Sequence, residues 1–185
     1  DLFVTLIIHL LKNRGRAAVV LPDGFFFGEG MKTRLKEKLL EECNLHTIVR
    51  LPNGVFNPYT GIKTNLLFFT KGKPTQHIWY YEHPYPEGVK SYNKTKPMHF
   101  EEFQTEIDWW GSEADGFNER VETELAWKVS IDDIKARNYN LDIKNPHVRE
   151  QINHDPDQLL KKYAQQQQEI AQLRNQLKTI LAEAL

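Results

Sequence analysis

The chain has one cysteine, Cys43, and almost no net charge, its 24 lysines and arginines being offset by 25 aspartates and glutamates. A lone cysteine cannot close an internal disulfide, which fits a reducing, cytoplasmic compartment. Near the end of an amphipathic stretch, Cys43 reads as a buried core thiol rather than a nucleophile. A net charge of -1 carries no whole-chain basic signature for nucleic acid, so any such contact has to rest on a local patch. The seven histidines show no metal-ligand spacing, and with one cysteine no zinc site or other metal is expected. The most apolar stretch, from Leu2 to Leu11, is too short to span a bilayer. It has no positive residue before it and no small-residue cleavage site after it, so neither a membrane span nor a signal is expected.

What is present is the pattern of a soluble α/β protein: 185 residues, 40% hydrophobic and 26% charged. Such a length accommodates one domain, or one incomplete domain plus an appendage. Leu2–Leu11 is apolar on all sides and predicts a buried helix ending at Lys12-Asn13-Arg14-Gly15, with Gly15 in the left-handed position. The chain opens inside this helix with no strand before it, which suggests truncation. Arg16–Leu21 is a short apolar run stopped by Pro22, as in a central parallel strand buried on both faces. A helix over 31–43, with Met31, Leu35, Leu39 and Leu40 on one face, leads to a strand at His46–Leu51, a unit expected to form a parallel crossover. The loop Pro52–Ile62 has no helical pattern, so the strand Thr64–Thr70 is expected antiparallel to its neighbours. Gly72 and Pro74 then predict a hairpin to a strand at Gln76–Tyr81. Residues 83–98 read as a loop. Phe100–Trp110 reads as a helix with Phe100, Phe103, Ile107 and Trp110 on one stripe. Residues 111–126 read as irregular, and Ser130–Asp133 as a capping box opening a short helix.

The last element has the clearest pattern. Asp155 is a good cap, Pro156 suits the first helical position, and the helix to Leu185 would extend about 45 Å. Leu159, Tyr163, Gln166, Ile170, Leu173, Leu177, Ile180 and Ala184 alternate spacings of four and three, a heptad seam with one polar position at Gln166. A seam of this length needs a helical partner, from the same chain or from another subunit.

Several segments in order carry a family resemblance: Gly15-Arg-Ala-Ala-Val-Val-Leu-Pro-Asp-Gly24, Ile48-Val-Arg-Leu-Pro-Asn-Gly-Val-Phe56, Tyr59-Thr-Gly-Ile-Lys-Thr-Asn-Leu-Leu-Phe-Phe69 and Ile134-Lys-Ala-Arg-Asn-Tyr-Asn-Leu-Asp142. They resemble the adenine-specific DNA methyltransferases that form the methylation subunits of type I restriction–modification systems. The resemblance implies the carboxy-terminal half of a Rossmann-like methyltransferase sheet, mixed and mostly parallel with antiparallel end strands, plus a long carboxy-terminal helix. On this reading 1–110 belong to the methyltransferase domain, 111–154 form an irregular connection with a short helix, and 155–185 form the docking helix. The parent protein would transfer a methyl group from S-adenosylmethionine to the 6-amino group of adenine in double-stranded DNA, alongside a specificity subunit and a restriction subunit. The family's glycine loop for the cofactor and its Asn-Pro-Pro-aromatic motif lie upstream of the matched segments. No catalytic residue is therefore expected here, and this stretch alone is expected to be inactive and not to bind the cofactor tightly.

The resemblance also implies that the loop after the strand at His46–Leu51 walls the pocket for an extruded adenine, with Phe56 and Tyr59 as the aromatic candidates and plain packing as the alternative. Asn57-Pro58-Tyr59 looks like part of the catalytic motif but lacks its second proline, and reads better as a turn. Asp23, at the carboxy-terminal end of a parallel strand, either touches substrate or cofactor or is a solvated turn residue. Lys90, Lys94 and Lys96, interleaved with Tyr85 and Tyr92, either meet DNA phosphates or form a solvated loop. Leu159, Tyr163, Ile170, Leu173, Leu177 and Ile180 are the docking candidates toward the specificity subunit. Two other readings remain: a non-catalytic helical interaction module on a partial Rossmann-like sheet, and a Rossmann enzyme such as an oxidoreductase without its nucleotide half.

Overall fold

A computed structural model describes residues 2–147 and 156–183. The chain forms two units, Asp1–Val148 and Arg149–Leu185. The first holds a five-stranded sheet in the order β1-β3-β2-β4-β5, built from β1 (Arg16–Pro22), β2 (Cys43–Arg50), β3 (Thr64–Lys71), β4 (His77–Glu82) and β5 (Ala126–Ser130). Strands β1, β2 and β4 run one way, and β3 and β5 run the other. The mixed sheet and its antiparallel end strands agree with the sequence pattern, but the sheet is not mostly parallel: only β2 with β4 pairs parallel, and β1, expected as a central parallel strand, is an edge strand antiparallel to β3.

Three further expectations about the sheet are corrected. Strand β4 does not form a hairpin with β3; it pairs parallel with β2 on the far side, while β3 inserts between β1 and β2. The segment after 110 was expected to hold only a short helix, yet it also supplies β5, whose Trp127 and Val129 are buried and whose Lys128 is exposed. Strand β1 is not buried on both faces. Its exposure alternates, with Val20 at 48%, because among the described residues nothing covers its second face.

Helices α1 (Leu2–Leu10), α2 (Met31–Glu42) and α4 (Ile131–Ala136) contribute to one continuous core on the first face of the sheet. Val4, Ile8, Leu35, Leu39, Leu40 and Ile134 meet Leu67, Phe69, Ile78 and Tyr80 there. Helix α1 buries only Val4 and Ile8 and leaves Leu2, Phe3, Leu6 and Leu10 exposed, so the expected all-round burial does not hold. Met31 is likewise exposed rather than on the core face. After α1 the left-handed residue is Arg14, not Gly15. Gly15 serves a close approach instead: a Cβ there would sit 2.8 Å from the Lys12 carbonyl oxygen. Cys43 opens β2 fully buried, and burial pushes its thiol up to about 11, so it is an inert core group.

On the second face, a 3₁₀ turn at Phe100–Phe103 runs into α3 (Gln104–Trp109). Ser130 caps α4, its Oγ accepting from the Asp133 amide at 3.1 Å; of the expected capping box only this half forms, the Asp133 carboxylate accepting from the Ser130 hydroxyl at 2.7 Å instead. In the second unit α5 runs over Pro156–Glu183, and its 28 residues extend about 42 Å. The expected Asp155 cap lies outside the described residues, as do the side chains of Leu159 and Ile180.

Candidate functional site

The strand directions bring five strand ends, joined by three connections, to one edge of the sheet. Strands β1, β2 and β4 end there and β3 and β5 begin there, since Pro22 pairs with Thr64, Arg50 with Asn65 and Glu82, and Tyr81 with Ala126. Asp23, the 51–63 loop with Phe56 and Tyr59, and the 83–98 loop with Lys90, Lys94 and Lys96 all follow strands at this edge. In parallel and mixed α/β sheets this is the edge where ligands bind.

Asp23 opens a 3₁₀ turn and is half-buried. Its Oδ1 accepts a 2.6 Å hydrogen bond from Nδ2 of Asn65, which is 1% exposed on β3, and its amide donates to the Lys63 carbonyl at 3.0 Å. Behind it, Lys32 donates to the Gly24 carbonyl at 3.0 Å, and Lys36 donates to the Phe26 and Gly28 carbonyls at 2.7 and 3.0 Å. Lys36 is buried, and desolvation holds its ammonium below the ordinary lysine range. The turn is thus held through its own carbonyl groups from α2. The sequence carries a signal for this: Lys36 stands four residues before Leu40 on the apolar face of α2.

Tyr59 is 92% exposed and Phe56 40% exposed, so both rings are available at the edge. Asn57 does not face a ligand; its Nδ2 donates to the Tyr92 carbonyl at 3.1 Å and ties the 51–63 loop to the 83–98 loop. The Asn57–Pro58 peptide is cis. Tyr85 adds a second tie, its hydroxyl donating to the Asn53 carbonyl at 2.8 Å. Lys90, Lys94 and Lys96 are exposed, and the Asn93 Oδ1 shapes their turn by accepting from the Thr95 and Lys96 amides at 3.0 Å each. Tyr92 does not share their exposure: it is buried, its hydroxyl donates to Glu102, and burial pushes its pKa up.

The closing segment is fastened to the same edge. Arg50 Nη2 meets Asp142 Oδ1 at 2.8 Å, Arg50 Nη1 donates to the Ile143 carbonyl, and the Tyr80 hydroxyl donates to the Leu141 carbonyl at 3.0 Å. Sequence reasoning matched this segment to the family but missed Arg50 and Tyr80 as its long-range partners, and likewise missed Asn65 as the partner of Asp23.

The second face holds other chemistry. Arg120, 5% exposed, lies over the rings of Phe117, Trp109 and Trp110 at 3.8, 4.5 and 5.0 Å, and burial lowers its pKa to about 10. Buried His83 and Glu106 pair directly. Beside them opens an apolar cleft of about 490 Å³ between Val49, Leu66 and Phe68 of the sheet and Phe103, Ile107 and Trp110. Among the described residues no three His, Cys, Asp or Glu side chains gather as a metal site. No helix among them is long and apolar enough to cross a membrane. Along α5, Tyr163, Ile170, Leu173 and Leu177 are exposed.

Residues 2–155 match the N-6 DNA methylase family. The chain is 71% identical to the type I restriction enzyme EcoEI methylase subunit of Escherichia coli over its whole length, and spans 38% of that protein. A crystal structure of a modification subunit of a putative type I restriction enzyme from Vibrio vulnificus YJ016 aligns with a TM-score of 0.72 and 46% identity, over 83% of this chain and 33% of that one. A chain from a structural study of complex assembly and conformational transition in the type I R-M system aligns with a TM-score of 0.74 and 34% identity, over 98% of this chain and 39% of that one.

Proposed function

Because the chain belongs to the N-6 DNA methylase family, we propose that it forms the target-facing portion of a DNA methyltransferase that methylates the 6-amino group of adenine within a type I restriction–modification complex. The observation that carries this reading is the convergence of Asp23, Phe56, Tyr59 and the three lysines on loops at a single sheet edge. An enzyme acting on a base has to draw it out of the stack, and an exposed ring at the pocket wall recovers about 1–3 kcal/mol by stacking. Tyr59 and Phe56 are assigned that role. Lys90, Lys94 and Lys96 are assigned to phosphates, where each neutralised charge raises affinity in a salt-dependent way. Asp23, aimed by Asn65, is assigned to a polar contact with the substrate.

Family membership implies S-adenosylmethionine as the methyl donor, which supplies an activated methyl group when bound. The residues present do not complete a site for it. The glycine-bearing turn after β1 has its interior filled by Lys32 and Lys36; a Cβ at Gly28 would already fall 2.2 Å from Lys32 Cδ. Cofactor contacts are accordingly assigned to the remainder of a longer protein, and the 185-residue chain alone is assigned no methyl transfer. A division into a methyltransferase part, now extended beyond residue 110 to include β5, a connection and a docking helix is proposed on the same basis.

Helix α5 is assigned to assembly with the specificity subunit, with the restriction subunit joining the complex in the cytoplasm. The exposed row of Tyr163, Ile170, Leu173 and Leu177 supports this, since such a stripe is adhesive in water. Leu173→Asp with Leu177→Asp is expected to abolish co-purification with the specificity subunit while leaving the sheet unit folded; retained assembly would remove the docking role.

The decisive experiment follows transfer of labelled methyl groups to DNA by the assembled enzyme. Phe56→Ala and Tyr59→Ala are each expected to cut methylation about tenfold or more while cofactor affinity is kept, as loss of one stacking contact implies. Full methylation by both folded variants would return the loop to a packing role.

A further inference from the structure

Phe25, Phe26 and Phe27 follow one another directly, yet they occupy different environments. Phe25 and Phe26 are 1% and 0% exposed and pack into the core, whereas Phe27 is 55% exposed. The surrounding backbone holds this arrangement. Lys32 binds the Gly24 carbonyl, Lys36 binds those of Phe26 and Gly28, and the Leu141 amide donates to Phe26 at 3.2 Å. On the other side of the turn, the Phe26 amide donates to the Asp23 carbonyl at 2.8 Å. Two inward rings and five hydrogen bonds to carbonyls across residues 23–28 leave Phe27 little freedom of backbone. It is an exposed aromatic group held on a rigid support, in the connection that follows β1 at the same edge as Phe56 and Tyr59.

An aromatic side chain kept half in water on a clamped turn is a costly choice for a solvated loop, where a polar residue would serve. It suits a surface that meets flat, apolar faces, and the unstacked bases of opened DNA offer those. A pre-set ring also gives up little conformational entropy on contact, because its backbone is already ordered.

We propose that Phe27 is a further DNA-contacting residue of this edge, stacking on a base exposed when the duplex is opened around the target, with Lys32 and Lys36 as the positioning residues that present it. The proposal rests on the methyltransferase reading given above. Its distinguishing requirement is an aromatic ring, not merely apolar volume.

The test uses the assembled methyltransferase containing this chain and compares Phe27→Leu with Phe27→Trp. For Phe27→Leu, affinity for DNA carrying an unpaired target base is expected to fall about tenfold, with cofactor affinity and thermal stability unchanged. Phe27→Trp is expected to stay within about twofold of wild type, since stacking tolerates any large aromatic face. Wild-type DNA affinity in Phe27→Leu would overturn the proposal. So would a fall in stability shared by both variants, which would mean the ring is packed against another part of the enzyme. If the wild-type assembly transfers no methyl group to DNA, the underlying reading fails and this one with it. An active wild type with an indifferent Phe27→Leu fails this inference alone.

Discussion

On the sheet face carrying Leu67, Phe69, Ile78 and Tyr80, the core is mainly aliphatic and is closed by α1, α2, α4 and the closing segment. On the face carrying Val49, Phe68, Trp79 and Tyr81, it is aromatic, encloses Arg120, His46 and the His83–Glu106 pair, and leaves an apolar cleft open beside α3. The first face is held together by tight filling, because a buried leucine there has neighbours on every side. The second face depends on ring geometry and on hydrogen bonds to a few buried polar groups. Trp109 lies 5.5 Å from Trp79 and 5.2 Å from Tyr81, and Trp110 lies 4.8 Å from Phe68. Deleting the same side chain on the two faces should therefore have unequal effects.

The largest effect is expected on the first face. Leu39, with 0% exposure, should lose about 3 kcal/mol of unfolding free energy on Leu39→Ala, since both transfer and cavity costs apply. Leu66 lines the open cleft, where no new enclosed cavity forms, and Leu66→Ala should lose only about 1 kcal/mol. Urea unfolding of both variants reads the difference directly. Equal losses would mean that the cleft is filled in solution, and the contrast between the faces would disappear.

This contrast also separates what the sequence discloses from what it does not. The helical side of the first face follows local periodicity: Leu35, Leu39 and Leu40 at helical spacing mark its residues without any tertiary knowledge, whereas the continuous Leu66-Leu67-Phe68-Phe69 of β3 does not disclose which side chains face which core. The second face depends on partners far apart in sequence, such as Arg120 with Thr47, and no local pattern brings these together. Strand β2 adds a specific obstacle. Its register against β3 shifts between Leu45 and Thr47, so Cys43, Leu45 and Ile48 meet the first core while Val49 and Leu51 meet the second. An extra residue in a strand moves every later side chain to the other face, and alternation counted straight through it misassigns them. The β3–β4 hairpin failed for a related reason: the turn residues Gly72 and Pro74 are present, but hydrogen bonding of β4 along β2 decides its place. At the candidate site, the residue types were legible from the family segments. The support from Asn65, Lys36 and Arg50 was not, apart from the misplaced-looking lysine on the apolar side of α2.

A middle-sized effect is expected at Arg120, where the second face is most unusual. Among the described residues its guanidinium is buried without a carboxylate partner; Nε donates to the Trp110 carbonyl at 2.7 Å, Nη1 donates to Thr47 Oγ1 at 2.8 Å, and buried Nη2 has no partner there. Arg120→Ala empties the space between three rings and should lose about 2 kcal/mol. Arg120→Met refills that space with a group that packs well on aromatic faces and removes the desolvated charge, so it should stay within about 1 kcal/mol of wild type. Thermal or urea melts of the pair decide the matter. If methionine is as damaging as alanine, then the charge over the rings, rather than filling, holds this face together.

The smallest effect belongs to His46 and appears only as pH falls. Thr47 Oγ1 accepts from Arg120 and lies 2.7 Å from His46 Nδ1, so the imidazole shares a buried hydroxyl with a guanidinium. Burial, reinforced by the charges of Arg120 and Arg16, lowers its pKa from the ordinary 6.5 to about 3. Between those values the unfolded chain holds a proton that the folded chain does not. The stabilising contribution is therefore complete above the unfolded value and is lost progressively as pH falls from there toward the folded one. Linkage then gives a loss of about 1 kcal/mol between roughly pH 7.5 and 5.5. His46→Phe keeps a ring against Phe117, whose centroid lies 4.7 Å away, but removes the titration. Urea unfolding at both pH values should show the acid loss in wild type reduced by that amount in the variant, even if the variant starts less stable. Parallel losses in the two proteins would mean that His46 keeps its proton in the folded state beside Arg120, and the neutral, desolvated imidazole would be ruled out.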